Sequence, residues 1–268
     1  MTLGTKEWAP NNENCCDGCE YDCRYCYAKK SAIQYGRHTK EDWHIMKPNA
    51  RSKRPVQYRE GGIMFPTTHD LQYEHHDWWM PFLTALLEKG NNVLIVTKSS
   101  IKSVELITNN LERFKDQIEF RFTIGTYNDE TRQFWEPHAP TIRERILALQ
   151  DAHWNGFKTS LSMEPLLDFK PSRLIDQIDE YVTGTIWIGL MNHMKRSDFA
   201  ENEEYWYTRI LMINGINNIR LVYEENKNNP KIRWKDSIRD LLKLGAMTGP
   251  GAASRDGGDA TKPEENGN

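Results

Sequence analysis

The sequence of 268 residues lacks any apolar run of about 18 residues, the length that a membrane-spanning helix requires. Its first residues, Met1–Trp8, also lack the apolar core of a secretory signal peptide. We therefore expect a cytoplasmic protein that has no membrane partner. Neither a Walker loop nor a G-x-G-x-x-G pattern occurs, which excludes the common glycine-rich phosphate-binding loops.

Cysteine is absent from the rest of the chain, because all five cysteines lie between Cys15 and Cys26. A chain of this length should bury about three-quarters of its unfolded surface, so it does not need disulfides to be stable. Adjacent Cys15 and Cys16 are also badly placed for separate structural bridges. So many thiols in one short segment favour a metal site in a reducing compartment.

An excess of positive charge is missing from the chain as a whole, whose formal net charge is −3. This excludes a globally basic nucleic-acid-binding protein, but one basic segment remains. The segment Lys29–Glu60 has nine Lys or Arg residues and three Asp or Glu residues, with Tyr35, Trp43 and Tyr58 interleaved. Basic side chains beside aromatic rings suit phosphates and unstacked bases, although a solvated surface can have the same composition.

Short apolar runs of the strand type alternate with amphipathic stretches along the chain. The predicted strands are Gly62–Phe65, Val93–Thr97, Glu119–Gly125, Phe157–Met163, Thr185–Leu190 and Asn218–Tyr223. The predicted helices between them include Trp79–Lys89, Val104–Phe114 and Thr141–His153. This alternation predicts an α/β fold with parallel βα units, either an open doubly wound sheet or a full or partial barrel. In both cases reactive groups lie at the carboxyl ends of the strands, on one rim.

One domain accounts for residues 1–245, and we find no internal repeat. The remaining residues, 246–268, are rich in Gly, Pro and acidic side chains and contain no large apolar residue after Met247. Such a composition cannot bury enough surface to offset the entropy of ordering, so we predict a disordered C-terminal tail.

The cysteines allow three groupings. Two zinc knuckles, Cys16-x2-Cys19 and Cys23-x2-Cys26, would be separated by only three residues, whereas zinc ribbons leave about 15–20. A four-thiolate iron–sulfur site would usually draw on a distant fourth cysteine, which is absent. The third grouping is Cys19-x3-Cys23-x2-Cys26, which could hold three irons of a [4Fe–4S] cluster and leave the fourth iron open, provided that Cys15 and Cys16 face away.

The third grouping, with an aromatic residue before its last cysteine, resembles the signature of radical S-adenosylmethionine (SAM) enzymes. The wider stretch Asn14-x3-Gly18-Cys19-x3-Cys23-x-Tyr25-Cys26-Tyr27-Ala28 resembles the cysteine block of the spore photoproduct lyase-like, or "DNA repair photolyase", group. Four later segments resemble this group or related phage-encoded radical SAM proteins: Thr67-Thr68-His69-Asp70, Val96-Thr97-Lys98-Ser99, Glu136-Pro137-His138-Ala139-Pro140 with Arg145, and Ser162-Met163-Glu164-Pro165-Leu166-Leu167. The resemblance covers roughly residues 5–225.

This resemblance implies a partial (β/α)6 TIM-like barrel whose cluster lies in the loop after a first strand near Thr5–Trp8. Cys19, Cys23 and Cys26 would bind the cluster, and the open iron would chelate SAM. A 5′-deoxyadenosyl radical would then abstract hydrogen from a substrate, for which the basic segment favours a nucleic acid or a nucleotide. An external one-electron reductant of the flavodoxin or ferredoxin type is also implied.

The same resemblance assigns the SAM-binding residues, although it identifies no further catalytic residue. They are Tyr25 for the adenine, Thr67, Thr68 and Asp70 for the methionyl amine, Lys98 and Ser99 for the carboxylate and ribose, and Glu164 and Asn192 for ribose or substrate contacts.

The chain departs from the resembling group at two points. Cys15-Cys16 stand where the group has Pro-Tyr, and a thiol that reached the open iron would compete with SAM. No cysteine follows Cys26 to act as the hydrogen donor of spore photoproduct lyase, so we do not expect thymine-dimer reversal by that route. The alternative to an enzyme is a non-catalytic zinc-binding module that contacts nucleic acid through Lys29–Glu60. An electron carrier fits such a large domain less well.

Overall fold

A computed structural model describes residues 4–192 and 194–244 of the chain. Within them, seven parallel strands form one curled sheet, and two short strands form a separate antiparallel pair. The strands in chain order are β1 (Asn11–Asn12), β2 (Cys16–Asp17), β3 (Lys47–Pro48), β4 (Ile63–Phe65), β5 (Val93–Thr97), β6 (Ile118–Thr123), β7 (Lys158–Met163), β8 (Ile186–Ile188) and β9 (Ile232–Trp234).

Helices follow most strands of the large sheet and cover one face of it. They are α1 (Tyr27–Gln34), α2 (His76–Glu88), α3 (Ile101–Asn110), α4 (Asp129–Trp135), α5 (Ile142–Trp154), α6 (Ser172–Ile178), α7 (Glu204–Asn214), α8 (Ile216–Asn226) and α9 (Asp236–Leu242). Local signals set several of these starts. Helix α5, for example, begins at a capping box in which Thr141 and Glu144 satisfy each other's backbone N–H groups.

The strand order β1-β4-β5-β6-β7-β8-β9 is that of a half-barrel, with every neighbouring pair parallel. This confirms the predicted partial α/β barrel. Strands β4 and β8 are buried along their whole length, and β5, β6 and β7 nearly so, as expected for strands covered on both faces. The parallel arrangement brings the carboxyl ends of the strands to one rim.

Three expectations about strands are wrong. The first strand is Asn11–Asn12, whereas Gly4–Glu7 forms a 3-10 turn. The stretch Asn218–Tyr223 lies within helix α8, because its buried residues, Ile219 and Val222, are three apart and share one helical face. The last strand of the sheet is β9, a segment that was not predicted to be a strand.

Two other expectations concern the ends of the chain and the membrane. The predicted tail, residues 246–268, lies outside the described residues. Among the residues that the structure describes, no helix combines the length and the apolar character needed to cross a bilayer.

Candidate active site

A cavity of about 490 Å³ opens at the carboxyl ends of the strands. Its walls come from the cysteine loop after β1 and from the segments that follow β4, β5, β7, β8 and β9. A volume of this size is typical of small-molecule and cofactor sites, which commonly span about 300–1,000 Å³. The predicted residues that line it are Cys19, Cys23, Tyr25, Cys26, Thr67, Thr68, Asp70, Lys98, Glu164 and Asn192.

The three cysteines of the radical SAM spacing all line this cavity. Cys15 and Cys16 do not line it, and both are fully buried elsewhere. Since all five cysteines lie in the described part of the chain, the cavity wall contains three thiols and no fourth. This is the donor set that leaves one iron of a [4Fe–4S] cluster without a protein ligand.

Gly18 sets the path of the loop just before the first of these cysteines. Its φ of +80° belongs to the left-handed region, and a Cβ there would lie 2.4 Å from the carbonyl oxygen of Ile45. The next residue, Cys19, donates its N–H to the carbonyl oxygen of Trp43 at 2.9 Å. Only glycine permits both the turn and this close approach of two backbone segments.

Cys26 lies at the N-terminus of α1 and acts as its cap. Its Sγ accepts a hydrogen bond from the backbone N–H of Lys29 at 3.4 Å. The positive end of the helix dipole favours a thiolate at this position. The helix that follows the loop therefore helps one of the three sulfurs to carry the negative charge that a metal ligand needs.

Burial has the opposite effect on the three thiols, and it dominates. It raises the pKa of Cys23 to about 12, although Lys98 acts against this shift. It also raises the pKa values of Cys19 and Cys26 above their ordinary value. The cysteines hold their protons near neutral pH, so binding of iron must release protons from them.

Tyr25 is held by a buried ion pair. Its hydroxyl donates to Glu136 Oε1, and Arg145 Nη2 lies 2.5 Å from Glu136 Oε2. Arg145 also donates to the carbonyl oxygens of Pro140 and Thr123, at 2.9 and 3.0 Å. Burial acts to raise the pKa of Glu136, but the nearby cations outweigh it and hold the pKa below its ordinary value. These contacts fix the aromatic ring that stands between the last two cysteines.

Lys98 is a cation in the cavity wall, close to the cysteine loop. Its Nζ lies 5.7 Å from the centre of the Tyr25 ring. Burial acts to lower the pKa of Lys98, but Cys23, where it is a thiolate, and the carboxylates of Glu136 and Asp70 raise it above its ordinary value. The side chain therefore stays positively charged, which suits an anionic group or a thiolate in the cavity.

Asn14 ties the start of the cysteine loop to the end of β4. Its Oδ1 accepts the N–H groups of Thr67 and Thr68, at 2.7 and 2.8 Å. Its Nδ2 donates to Thr67 Oγ1 at 2.8 Å. One amide side chain thus fixes the two threonines at the edge of the cavity.

Asp70 and Ser99 hold strand ends together. Asp70 Oδ1 accepts from Thr97 Oγ1, from Ser99 Oγ and from the N–H of Leu71, and Oδ2 accepts from the N–H of Lys98. The Ser99 hydroxyl is also 2.7 Å from the carbonyl oxygen of Leu71 and does not line the cavity. Asp70 therefore lines the cavity, but its carboxylate is already hydrogen-bonded within the protein, and Ser99 does not line the cavity.

The cavity wall contains a second group of charged residues. Lys235 Nζ pairs with Glu7, lies 3.6 Å from Glu164 Oε2 and stands 4.5 Å from the centre of the Trp8 ring. Burial raises the pKa of Glu164, and Lys235 opposes that shift. Asn192, after β8, is exposed on the same wall. A polar substrate could contact a lysine, a carboxyl group and an amide here.

Several side chains of this site are not among the cluster-binding or SAM-binding residues that were predicted from the sequence. Asn14, Glu136 and Arg145 belong to the resembling motifs, but nothing in the sequence shows that they contact Thr67 and Tyr25. Lys235 follows β9 directly and would have been found by the same strand-end reasoning as Glu164. It was missed because β9 was not predicted.

The basic segment is joined to the cysteine loop by backbone pairing. Strand β3 pairs antiparallel with β2, and Lys47 is opposite Asp17. Three of the nine cations make ion pairs: Lys29 with Asp22, Lys30 with Asp198 and Arg51 with Glu13. The other six are exposed: Arg37, Lys40, Lys47, Lys53, Arg54 and Arg59.

Of the aromatic residues in the basic segment, only two can serve as surface platforms. Tyr35 and Tyr58 have exposed fractions of 72% and 62%. Trp43 is buried and packs with Ala28 and Ala32 against Cys19 and Cys26. The expectation that Trp43 belongs to a surface patch is therefore wrong, and its ring supports the cysteine loop.

The comparisons with known proteins place two curated relatives beside this chain. No family model matches it. It is 26% identical over 172 residues to Uncharacterized protein MJ0683 of Methanocaldococcus jannaschii, which corresponds to 62% of each protein. It is also 26% identical over 179 residues to Uncharacterized protein ORF301 of Acidianus two-tailed virus, or 61% of this chain and 57% of that protein. The chain spans about three-fifths of the length of the curated relatives it matches.

Solved structures with a similar fold include two enzymes. A mutant of spore photoproduct lyase with dinucleoside spore photoproduct has a TM-score of 0.49 and 14% identity, covering 74% of this chain and 58% of that one. SuiB of Streptococcus suis bound to S-adenosylmethionine has a TM-score of 0.46 and 11% identity, covering 84% of this chain and 45% of that one. Spore photoproduct lyase is the enzyme after which the group that the sequence resembles is named.

Proposed function

We propose that this chain is a radical SAM enzyme that binds a [4Fe–4S] cluster through Cys19, Cys23 and Cys26 and acts on a nucleic acid or a nucleotide. One observation carries the proposal: these three thiols, and no others of the described residues, line a cavity of cofactor size at the strand ends. A closed zinc knuckle is disfavoured, because Cys16 does not line the cavity with Cys19 and its ligand atom lies within 4.8 Å of those of Cys15 and His69.

The residues around the thiols fit the charge of an iron–sulfur site. Lys98 acts to lower the pKa of both Cys23 and Cys26, and the N-terminus of α1 faces Cys26. When bound, such a cluster supplies the single electron that cleaves the sulfonium of SAM and yields a 5′-deoxyadenosyl radical. An external carrier of the flavodoxin or ferredoxin type would deliver that electron.

The chain's own residues would bind and orient SAM. Thr67 and Thr68, fixed by Asn14, offer hydroxyl and carbonyl oxygens to the methionyl amine. Lys98 offers a cation to the carboxylate, as charge-assisted bonds of this kind are strong. Tyr25, whose hydroxyl is already bonded to Glu136, offers its ring to the adenine. Because the Asp70 carboxylate is engaged within the protein, we assign it to positioning Lys98.

A phosphate-bearing substrate would suit the surface beside this cavity. The six exposed cations and two exposed tyrosines of the basic segment follow the cysteine loop in the chain, and one of them, Lys47, lies in β3, which pairs with β2. Glu164, Asn192 and Lys235, which also line the cavity, provide donors and acceptors for the reacting part of the substrate.

Anaerobic reconstitution tests the cluster. We expect about four irons and four sulfides per chain, and release of 5′-deoxyadenosine when dithionite and SAM are added. Cys23→Ala should abolish both, whereas the matched variant Cys16→Ala should retain the iron. A wild-type protein that takes up no iron and releases no 5′-deoxyadenosine contradicts the proposal, whatever its zinc content.

Binding to single-stranded and double-stranded DNA and RNA tests the substrate class. We expect affinity to fall steeply with salt, because Lys and Arg contacts to phosphates release counterions. Changing Lys53 and Arg54 to Gln should reduce the salt dependence, while Lys243→Gln, outside the basic segment, should not. Absence of binding at low salt would remove nucleic acids from the proposal and leave free nucleotides.

A further inference from the structure

Cys15, Cys16 and His69 form a buried cluster that the proposed reaction does not use. Their ligand atoms all lie within 4.8 Å of one another. Cys15 Sγ is 3.8 Å from Cys16 Sγ and 3.7 Å from His69 Nε2. Both cysteines are fully buried, and His69 is 6% exposed. Two thiols and an imidazole that converge in this way need a physical explanation.

The spacing matches tetrahedral coordination of one ion. With Zn–S bonds of about 2.3 Å and Zn–N bonds of about 2.0–2.1 Å, a tetrahedral ion separates two sulfurs by about 3.8 Å and a sulfur from a nitrogen by about 3.6 Å. The two separations that involve Cys15 are 3.8 and 3.7 Å, and the third, between Cys16 Sγ and His69 Nε2, is within 4.8 Å. The side chains would therefore need little movement to bind such an ion.

The imidazole also has the outer contact that metal-binding histidines use. His69 Nδ1 lies 3.2 Å from the backbone carbonyl oxygen of Asp70, to which it donates its proton. This fixes the tautomer and leaves the Nε2 lone pair on the side of the cysteines. That lone pair accepts the backbone N–H of Cys15 at 3.3 Å.

We propose that Cys15, Cys16 and His69 bind one Zn²⁺ ion, separate from the iron site. Binding releases the two thiol protons to solvent, and the resulting thiolates cancel the charge of the ion. A neutral site is what such complete burial requires, since an uncompensated buried charge is costly. His69 also lines the cavity, which gives the ion a route to the site. The ion would clip the start of the cysteine loop to the end of β4.

A variant without the iron ligands isolates this site, because it removes the other thiols. In Cys19→Ser/Cys23→Ser/Cys26→Ser, we expect one Zn²⁺ per chain after incubation and gel filtration. Co²⁺ should bind with the same stoichiometry and give the intense near-ultraviolet band of thiolate-to-cobalt charge transfer. Added Zn²⁺ should also raise the melting temperature of this variant. These readouts do not depend on iron, so they can succeed or fail independently of the proposed function.

Further substitutions in this background identify the ligands. His69→Gln and Cys16→Ser should each lose the stoichiometric Zn²⁺, the cobalt band and the rise in melting temperature. His44→Gln, which removes an exposed histidine, should change none of them. If the triple-serine variant binds no Zn²⁺, the proposal is overturned. It is equally overturned if Zn²⁺ binding survives both His69→Gln and Cys16→Ser, because the ion is then held elsewhere.

Discussion

Replacing Glu136 with Gln tests how strongly the buried ion pair beside Tyr25 stabilises the protein. The side chains of Glu136 and Arg145 are 1% and 0% exposed. Without the carboxylate charge, the guanidinium faces only neutral acceptors among its described partners: the introduced amide oxygen and the carbonyl oxygens of Pro140 and Thr123. Removing one member of a buried pair in this way costs about 3–5 kcal/mol, because the other charge is left uncompensated.

Urea unfolding measures that cost. For a slope of about 2–3 kcal/mol per molar urea, the midpoint should fall by about 1–2.5 M. Glu88→Gln is the matched control, because Glu88 pairs with Arg113 at 3.3 Å on the surface, where both side chains are more than half exposed. That change should cost less than about 1 kcal/mol. A loss for Glu136→Gln no larger than the loss for Glu88→Gln would refute the reasoning.

The same pair predicts a dependence on pH. The pKa of Glu136 lies below its ordinary value of 4.5, so its ionised form is favoured by folding. A carboxyl group of this kind contributes stability above its unfolded pKa and loses that contribution as pH falls through its folded pKa. The difference in unfolding free energy between wild type and Glu136→Gln should therefore be full at pH 7 and smaller at pH 4. A difference that grows on acidification would show the opposite sign.

Three further changes are expected to have measurable effects. Gly18→Ala should lower the free energy of unfolding by more than about 1 kcal/mol, measured by thermal unfolding, and should lower the iron content, because its Cβ would meet the carbonyl oxygen of Ile45. Gly36→Ala is the control: Gly36 is also at positive φ but in open space, so this change should cost less stability and keep the iron. Asp70→Asn should cost about 1–3 kcal/mol by urea unfolding, because an amide cannot accept every hydrogen bond of the carboxylate; a comparable loss in an exposed Asp→Asn control would contradict this. Lys235→Met should lower the melting temperature more at pH 8 than at pH 5. Burial already raises the pKa values of Glu7 and Glu164, so without the lysine both carboxyl groups can become neutral in acid. An equal loss of melting temperature at both pH values would count against the buried pairing.

Strands with continuous apolar runs could be predicted from the sequence. The run Val93–Thr97 is observed with the predicted bounds, and Phe157–Met163 differs from β7 by one residue. Parallel strands in the middle of a half-barrel are covered on both faces, so they lack the polar alternation that blurs other strands. Once these strands were predicted, the polar residues that follow them could be predicted to lie at one rim, and most of the predicted site residues do line one cavity.

Short strands at the edge of the sheet could not be predicted. Strand β9 is only Ile-Arg-Trp between two lysines, and β1 is Asn11–Asn12, which has no apolar residue at all. Both depend on pairing with a neighbouring strand for their extended conformation. The β-branched residues of α8 led to the opposite error, a strand predicted where the chain is helical. Packing of one helical face against the core overrides the strand propensity of Ile219 and Val222.

The five cysteines show where spacing along a sequence stops being informative. Ligands within one loop follow from their spacing, because a few residues of backbone keep Cys19, Cys23 and Cys26 close together whatever the rest of the chain does. Cys15 and Cys16 had no explanation at that level, since the side chain that completes their cluster, His69, is 54 residues away from Cys15. Parallel pairing of β1 with β4 brings the two segments together. A thiol pair without a role in a local motif should therefore be examined against the ends of neighbouring strands before it is treated as incidental.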